Sequence, residues 1–171
     1  MRFKRSLLVL NIGILASIAI YSTDILPWKI AFNRTPSLPQ GLYLTTNNVA
    51  EVNRGDLVCT HYQEPAWAVG RYLPPGAQLC KEVLGLAGDT LEERSGELFL
   101  LNKEASLSLG IILSKDSNDR PLPHLNWQKQ AIPAGKVYLG STRIARSLDS
   151  RYLGLINQTD IHLKIYPLLT Y

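Results

Sequence analysis

At 171 residues with 46% apolar side chains, the chain is long enough for one packed domain plus a short accessory segment and too apolar for extended disorder. Eighteen basic against fourteen acidic residues give a net +4, but Arg2, Lys4 and Arg5 supply three of those charges ahead of an apolar segment, leaving +1 for the rest. A remainder so close to neutral weakens a nucleic-acid reading, which would want a basic face within the folded domain.

The first predicted element runs from Ser6 to Tyr21, with no charge from Ser6 through Thr23. It reads as an apolar helix. Its length sits at the low end of the roughly 17 to 25 residues of a membrane span, and it also fits the core of a signal peptide, for which Ser17-Ile18-Ala19 offers a small-x-small cleavage pattern. The preceding cations and the interfacial residues Tyr21 and Trp28 favour an uncleaved signal anchor, residues 1–24, with a cytoplasmic N-terminus. Either choice exports residues 25–171.

Next comes Arg34-Thr35-Pro36-Ser37-Leu38-Pro39-Gln40-Gly41-Leu42-Tyr43. Pro36 and Pro39 fix their own φ and push the residues before them toward extended backbone, while Gly41 permits a sharp turn or a close approach. Ser37 thus sits on a stiff, non-helical segment, which fits a turn residue and also fits a pre-positioned nucleophile. Leu38, Leu42 and Tyr43 either line the approach to Ser37 or pack in the core.

Thr45-Thr46-Asn47-Asn48 reads as a turn, and Gly55-Asp56 opens a β-rich run through Tyr62. Residues 65–77, with Pro74-Pro75-Gly76, form a loop with room for one helical turn. Leu79 to Asp89 is a strand ended by Gly88-Asp89, and Glu97 to Leu101 is a further short strand. Residues 102–130 show a weak pattern, punctuated by Asp116, Asn118, Asp119, Pro121 and Pro123; they read as an exposed excursion. Turn-then-strand chemistry returns from Ile132 to Gly140, and Ile161, Leu163 and Ile165 alternate in a closing strand. The exported unit is therefore predicted to be mainly β.

Cys59 and Cys80 each lie in a strand-like stretch. In an oxidising compartment they are disulfide candidates, closing a loop of about twenty residues for roughly 3 kcal/mol; the alternative is two buried thiols. His61, His124 and His162 show no ligand spacing and no C-x-x-C is present, so neither a metal nor a cofactor is expected. A Ser nucleophile needs a base, and the chain's best candidate is Lys81 in the Leu79–Asp89 strand, since Ser-Lys pairs are a known variant of the Ser-His-Asp arrangement. Such a lysine must be neutral, which burial among Leu79, Val83 and Leu84 favours. Glu82 falls on the opposite face of the strand.

Four stretches in order resemble the type I signal peptidases, membrane-anchored Ser-Lys proteases, and most closely their conjugative-transfer branch, the TraF type. Thr35 to Tyr43 is similar to the nucleophile box in its S-x-P-x-G-x-Y form. Arg54-Gly55-Asp56-Leu57-Val58 is similar to the R-G-D-hydrophobic box, Lys81 to Asp89 to the box that carries the base, and Ser147-Leu148-Asp149-Ser150-Arg151-Tyr152-Leu153-Gly154 to S-x-D-S-R-Y-x-G. Glu82 and Ala87 stand where the base box usually has Arg and Pro. Gly140-Ser141-Thr142 replaces the usual G-D-N.

The resemblance implies a signal-peptidase or LexA-like β fold. It also implies Ser37 as nucleophile, Lys81 as general base and Ser147 as the residue that orients the Lys81 amine. It further implies an oxyanion hole from the Ser37 N–H and the Thr35 hydroxyl, with Asp149 and Arg151 as a supporting ion pair. The expected activity is cleavage of exported precursors after small residues, in particular a pilin-type subunit of a conjugation apparatus. The expected setting is the bacterial inner membrane, with lipid as neighbour, the catalytic unit periplasmic, no nucleic acid and a monomeric state. An inactive, membrane-tethered assembly module is the alternative.

Overall fold

The structure, a computed structural model, describes residues 27–103 and 105–171; the predicted anchor at residues 1–24 lies outside them. Among the described residues no helix is long and apolar enough to cross a membrane. Among the described residues, eleven strands form two antiparallel sheets. The larger sheet takes β1 (Trp28–Asn33), β2 (Gly41–Thr46), β11 (Ile161–Thr170), β3 (Leu57–His61), β4 (Gln78–Gly85), β9 (Lys136–Gly140) and β10 (Ile156–Asn157), side by side in that order. The smaller takes β7 (Ser106–Ile111), β6 (Glu97–Leu101), β5 (Thr90–Arg94) and β8 (Gln130–Ala131). A single helical turn, α1 (Ser150–Leu153), connects β9 to β10.

Strand β11 staples the larger sheet. Its first half pairs with β3 and its second with β2, so the closing segment sits between two strands that follow each other in the chain but do not pair directly. The second half demands a close approach at Gly41, whose φ is +136°. A Cβ built there would lie 2.1 Å from the Leu169 carbonyl oxygen, so Gly41 is dictated both by backbone and by room. Tyr43, two residues on, points inward with 1% exposure and anchors a small core with Leu38, Cys59 and Ile165. Leu38 and Tyr43 are therefore core residues, while Leu42 is exposed.

A second core, Val58, Val83, Val137, Leu139 and Ile161, lies along the middle strands. The third joins the sheets: Leu84 and Tyr138 from the larger meet Leu91, Leu98, Leu100 and Leu109 from the smaller, with Trp127 and Ile132. The reading of residues 102–130 as exposed throughout needs correction at two places. Leu109 lies on β7 and Trp127 in the return loop, and both are buried; their spacing is too sparse to betray a strand or a core residue without the partner sheet. Strand β1 was also not legible, because Trp28, Ile30 and Phe32 all stay exposed on one face. The register sets Phe32 beside Leu42 and Leu42 beside Leu169, and Ile30 beside Leu44 and Leu44 beside Tyr166. This makes a continuous apolar face across β1, β2 and β11, with the Trp28 and Tyr166 rings 5.9 Å apart.

Candidate active site

Ser37 sits in the turn between β1 and β2, held from behind by Leu38 in the core. Lys81 sits on β4, a central strand flanked by β3 and β9, opposite Val58. The fold brings them together across 44 residues: Lys81 Nζ donates to Ser37 Oγ at 3.0 Å and to the Cys80 carbonyl at 3.1 Å. Each of the two residues is 5% exposed. Burial pulls the Lys81 pKa from 10.5 down to about 8; Asp149 pushes it back up and Arg151 adds to the lowering. Glu82 is half-buried, and burial raises its carboxyl, favouring the neutral form.

Cys59 and Cys80 are directly opposed on β3 and β4 and joined by a disulfide across a separation of 21 residues. The bridge ties together the two strands immediately before Lys81. Both cysteines belong to the wall of a cleft of about 730 Å³ that also holds Ser37, Lys81, Thr35 and Ser147.

Thr35 and Ser147 share that cleft. The Thr35 hydroxyl donates to Asn33 Oδ1 at 2.8 Å. A hydroxyl has one proton, so Thr35 must leave Asn33 before it can serve an oxyanion. The Ser37 N–H meets no acceptor among the described residues. Ser147 is 3% exposed, and its Oγ has no hydrogen-bond partner among the described residues. It lies in the cleft wall without touching the Lys81 amine by a hydrogen bond.

Asn33 is the residue that sequence reasoning missed. From the end of β1 its amide nitrogen donates to the carbonyls of Thr35 (2.9 Å), Leu38 (3.2 Å) and Pro39 (3.0 Å). Its Oδ1 accepts from the Thr35 amide at 3.0 Å as well as from the hydroxyl. The Tyr43 hydroxyl adds a bond to the Pro39 carbonyl at 2.6 Å, and the Gln40 amide donates to the Arg34 carbonyl. A loop with two prolines and no strand partners has its carbonyls satisfied by side chains instead. The available signal was an Asn two residues before a Thr at a strand end, a pattern suited to an Asx turn.

The remaining boxes are structural. Arg54 donates to Asp89 at 2.6 Å and to the Leu84 carbonyl, while Asp89 also accepts from the Leu86 amide at 2.7 Å. These bonds clamp the turn that ends β4, so two motifs 35 residues apart form one joint. Asp149 and Arg151 form a two-pronged ion pair at 3.0 and 2.9 Å with each side chain 1% exposed, and Asp149 also accepts from the Arg151 amide at the start of α1. Arg151 then donates to the Ile111 carbonyl at 3.1 Å, Ser150 Oγ accepts from the Leu139 amide at 3.0 Å, and the Tyr152 hydroxyl accepts from the Leu113 amide at 2.9 Å. The whole Asp149-Ser150-Arg151-Tyr152 run is buried and bonds the two sheets together beside the cleft.

The segment after β7 lines a smaller pocket next to the cleft, together with Tyr72, Arg146 and Ser147. Asp116 accepts from the Tyr72 hydroxyl at 2.8 Å and pairs with Arg120 at 2.8 Å, and Arg71 donates to the Pro121 carbonyl at 3.2 Å. Burial opposes ionisation of Asp116, but the bonds from Asn118, Tyr72 and Arg120 outweigh it and hold the carboxyl well below the usual range. Among the described residues no group of acids, histidines and cysteines is arranged to hold a metal ion.

The family model described as signal peptidase, peptidase S26, matches residues 3–166. Two Escherichia coli relatives, each a plasmid transfer protein TraF, are 26% identical over 152 residues and 28% identical over 147; each alignment covers 81% of this chain and 82% of the relative. A crystal structure of a signal peptidase I from Enterococcus faecalis V583 matches at TM-score 0.40 and 18% identity, over 70% of this chain and 100% of that one. With the family model spanning nearly all of its length, the chain belongs to the signal peptidase family, peptidase S26.

Proposed function

We propose that this chain is a membrane-anchored Ser-Lys endopeptidase that cuts exported precursors after small residues, maturing a pilin-type subunit of a conjugation apparatus. Residues 1–24 serve as the anchor, and residues 25–171 work as a monomer on the periplasmic side of the bacterial inner membrane. The observation that carries this reading is the 3.0 Å contact between Lys81 Nζ and Ser37 Oγ, with burial drawing the lysine toward neutrality.

In the proposed reaction Ser37 Oγ attacks the scissile carbonyl carbon while its proton passes to neutral Lys81. The negative charge on the carbonyl oxygen is met by the Ser37 N–H and by the Thr35 hydroxyl once it has turned from Asn33. Collapse breaks the C–N bond, and the Lys81 ammonium returns the proton to the leaving amine. The acyl-enzyme is then released by water, or by an amine of the substrate itself, which gives a ring. Ser147, with its unpaired buried hydroxyl beside the cleft, is the proposed partner of the Lys81 amine during turnover.

The apolar face of β1, β2 and β11 supports the membrane setting. Ile30 and Phe32 are 55% exposed and Leu169 is 72% exposed, and β1 is the strand that directly follows the proposed anchor. Facing the bilayer, these side chains leave water and the cleft stays near the surface where tethered precursors run.

The test is cleavage of a co-expressed pilin precursor, read by product mass, for wild type, Ser37→Ala and Lys81→Ala in the same membranes. Cutting by wild type alone supports the proposal, and the mass separates hydrolysis from ring closure. Cutting by Ser37→Ala refutes the nucleophile, and no cutting by folded, inserted wild type favours the assembly-module alternative.

A further inference from the structure

We infer that the cleft recognises a carboxylate on the substrate beside the scissile bond, through Arg34 and Arg146 with Arg71 behind them. The inference rests on the peptidase reading and adds a substrate class to it.

All three arginines line the same cleft as Ser37 and Lys81, and no Asp or Glu lines it. Arg34 lies three residues ahead of Ser37 on the nucleophile turn, and Arg146 directly precedes Ser147 on the segment leading to α1, so the charges approach the candidate dyad from two elements. Two acids near the cleft are already matched. Asp116 is bound to Arg120 and the Tyr72 hydroxyl, and Asp149 is sealed against Arg151. Arg34 and Arg146 are exposed and make no ion pair among the described residues, and Arg71 is fixed in place by a carbonyl, not by a carboxylate.

Three guanidinium groups around a concave site with no internal counter-charge leave the balancing negative charge to the ligand. The planar fork of a guanidinium matches a carboxylate with two parallel hydrogen bonds, and a cleft focuses the field of its rim. The carboxylate could belong to a Glu or Asp side chain or to a free C-terminus near the cut; both present the same fork. An anionic lipid headgroup fits less well, because the arginines face a peptide-sized cleft, whereas the apolar face suited to lipid lies on β1, β2 and β11.

The experiment uses the full-length Ser37→Ala protein in detergent, so binding is read without turnover, and fluorescein-labelled twelve-residue peptides with a central run of alanines. One carries two Glu after the run and a C-terminal amide, a second carries Gln at those places with the amide, and a third carries Gln with a free C-terminal acid. Anisotropy at low salt is expected to show the Glu peptide binding about tenfold tighter than its Gln amide counterpart, with the advantage shrinking at high salt. Adding Arg34→Gln and Arg146→Gln is expected to erase it. The free-acid peptide tells which carboxylate is preferred: an advantage only there assigns the site to a chain end. Equal binding of all three peptides overturns the inference, as does a preference that survives the double substitution. Arginine-dependent binding to phosphatidylglycerol vesicles with indifference to the peptides moves the site to lipid and also overturns it. Because no bond is cut in this assay, a carboxylate preference with an inactive wild type would sink the peptidase reading while leaving the binding site standing.

Discussion

Lys81 Nζ and Ser37 Oγ lie 3.0 Å apart, and the same lysine nitrogen also donates to the carbonyl of Cys80, a residue disulfide-bonded to the neighbouring strand. The amine is therefore fixed from two sides while only one of its neighbours can react. Asp149 and Arg151 pull its proton affinity in opposite directions, so the ion pair leaves burial as the dominant influence.

On the proposed mechanism only neutral Lys81 accepts the Ser37 proton. With the amine drawn down to about 8, kcat/KM is expected to rise about tenfold per pH unit on the acid side of that value and to level off above it. Initial rates from about pH 5 to 10 check this. A flat profile rules out the lysine as base.

The same burial makes Lys81 a liability for stability. In the unfolded chain the amine keeps its ordinary value, so between about pH 8 and 10.5 the unfolded state holds more protons and stability rises with pH across that window. Below it the full penalty applies. Lys81→Met is expected to be inactive and about 1 to 3 kcal/mol more stable at neutral pH, with the difference shrinking toward alkaline pH. Urea unfolding at two pH values measures it, and a variant less stable than wild type at neutral pH contradicts the expectation.

Asn33→Asp keeps an oxygen for Thr35 but sets a carboxylate against the carbonyls of Thr35, Leu38 and Pro39. The turn carrying Ser37 then shifts while β1 and β4 remain paired to their own neighbours. A fall of about 10- to 100-fold in kcat is expected, with little change in KM, because small displacements of a nucleophile are costly, and the added negative charge in the cleft moves the pH midpoint upward. A change confined to thermal stability would assign Asn33 a purely structural role.

Arg151→Met leaves the Asp149 carboxylate buried without its cation, which costs about 3 to 5 kcal/mol. It also leaves Asp149 to raise the Lys81 proton affinity unopposed, so any remaining activity shifts to more alkaline pH. Adding Asp149→Asn removes the stranded charge, and the double variant is expected to recover part of the stability. Denaturation of the two single variants and the double closes the cycle; additive losses would show that the pair is not coupled.

The Ser37, Arg54, Lys81 and Asp149–Arg151 boxes were all visible as strings, and the mainly β character followed from short alternating runs bounded by Gly, Pro and Asp. The disulfide candidate was equally visible, since two cysteines allow one bridge. What stayed hidden was the division of labour among the boxes. Arg54 and Asp89 stand in two separate boxes of the sequence and form one clamp on the turn after β4. Leu109 and Trp127 looked like parts of an exposed excursion and are buried between the sheets.

Local sequence determined what depends on local chemistry: the proline-stiffened turn, the glycine at Gly41, the strand periodicity and the residue types available for acid-base work. Tertiary structure decided which of those residues meet. The Ser37–Lys81 contact follows from antiparallel pairing among β2, β11, β3 and β4, and the isolation of the Ser147 hydroxyl from the burial of the segment after β9 beside the same cleft. Pairing between strands far apart in the chain is set by the fit of whole hydrophobic faces, and that fit leaves no mark on any single stretch of sequence.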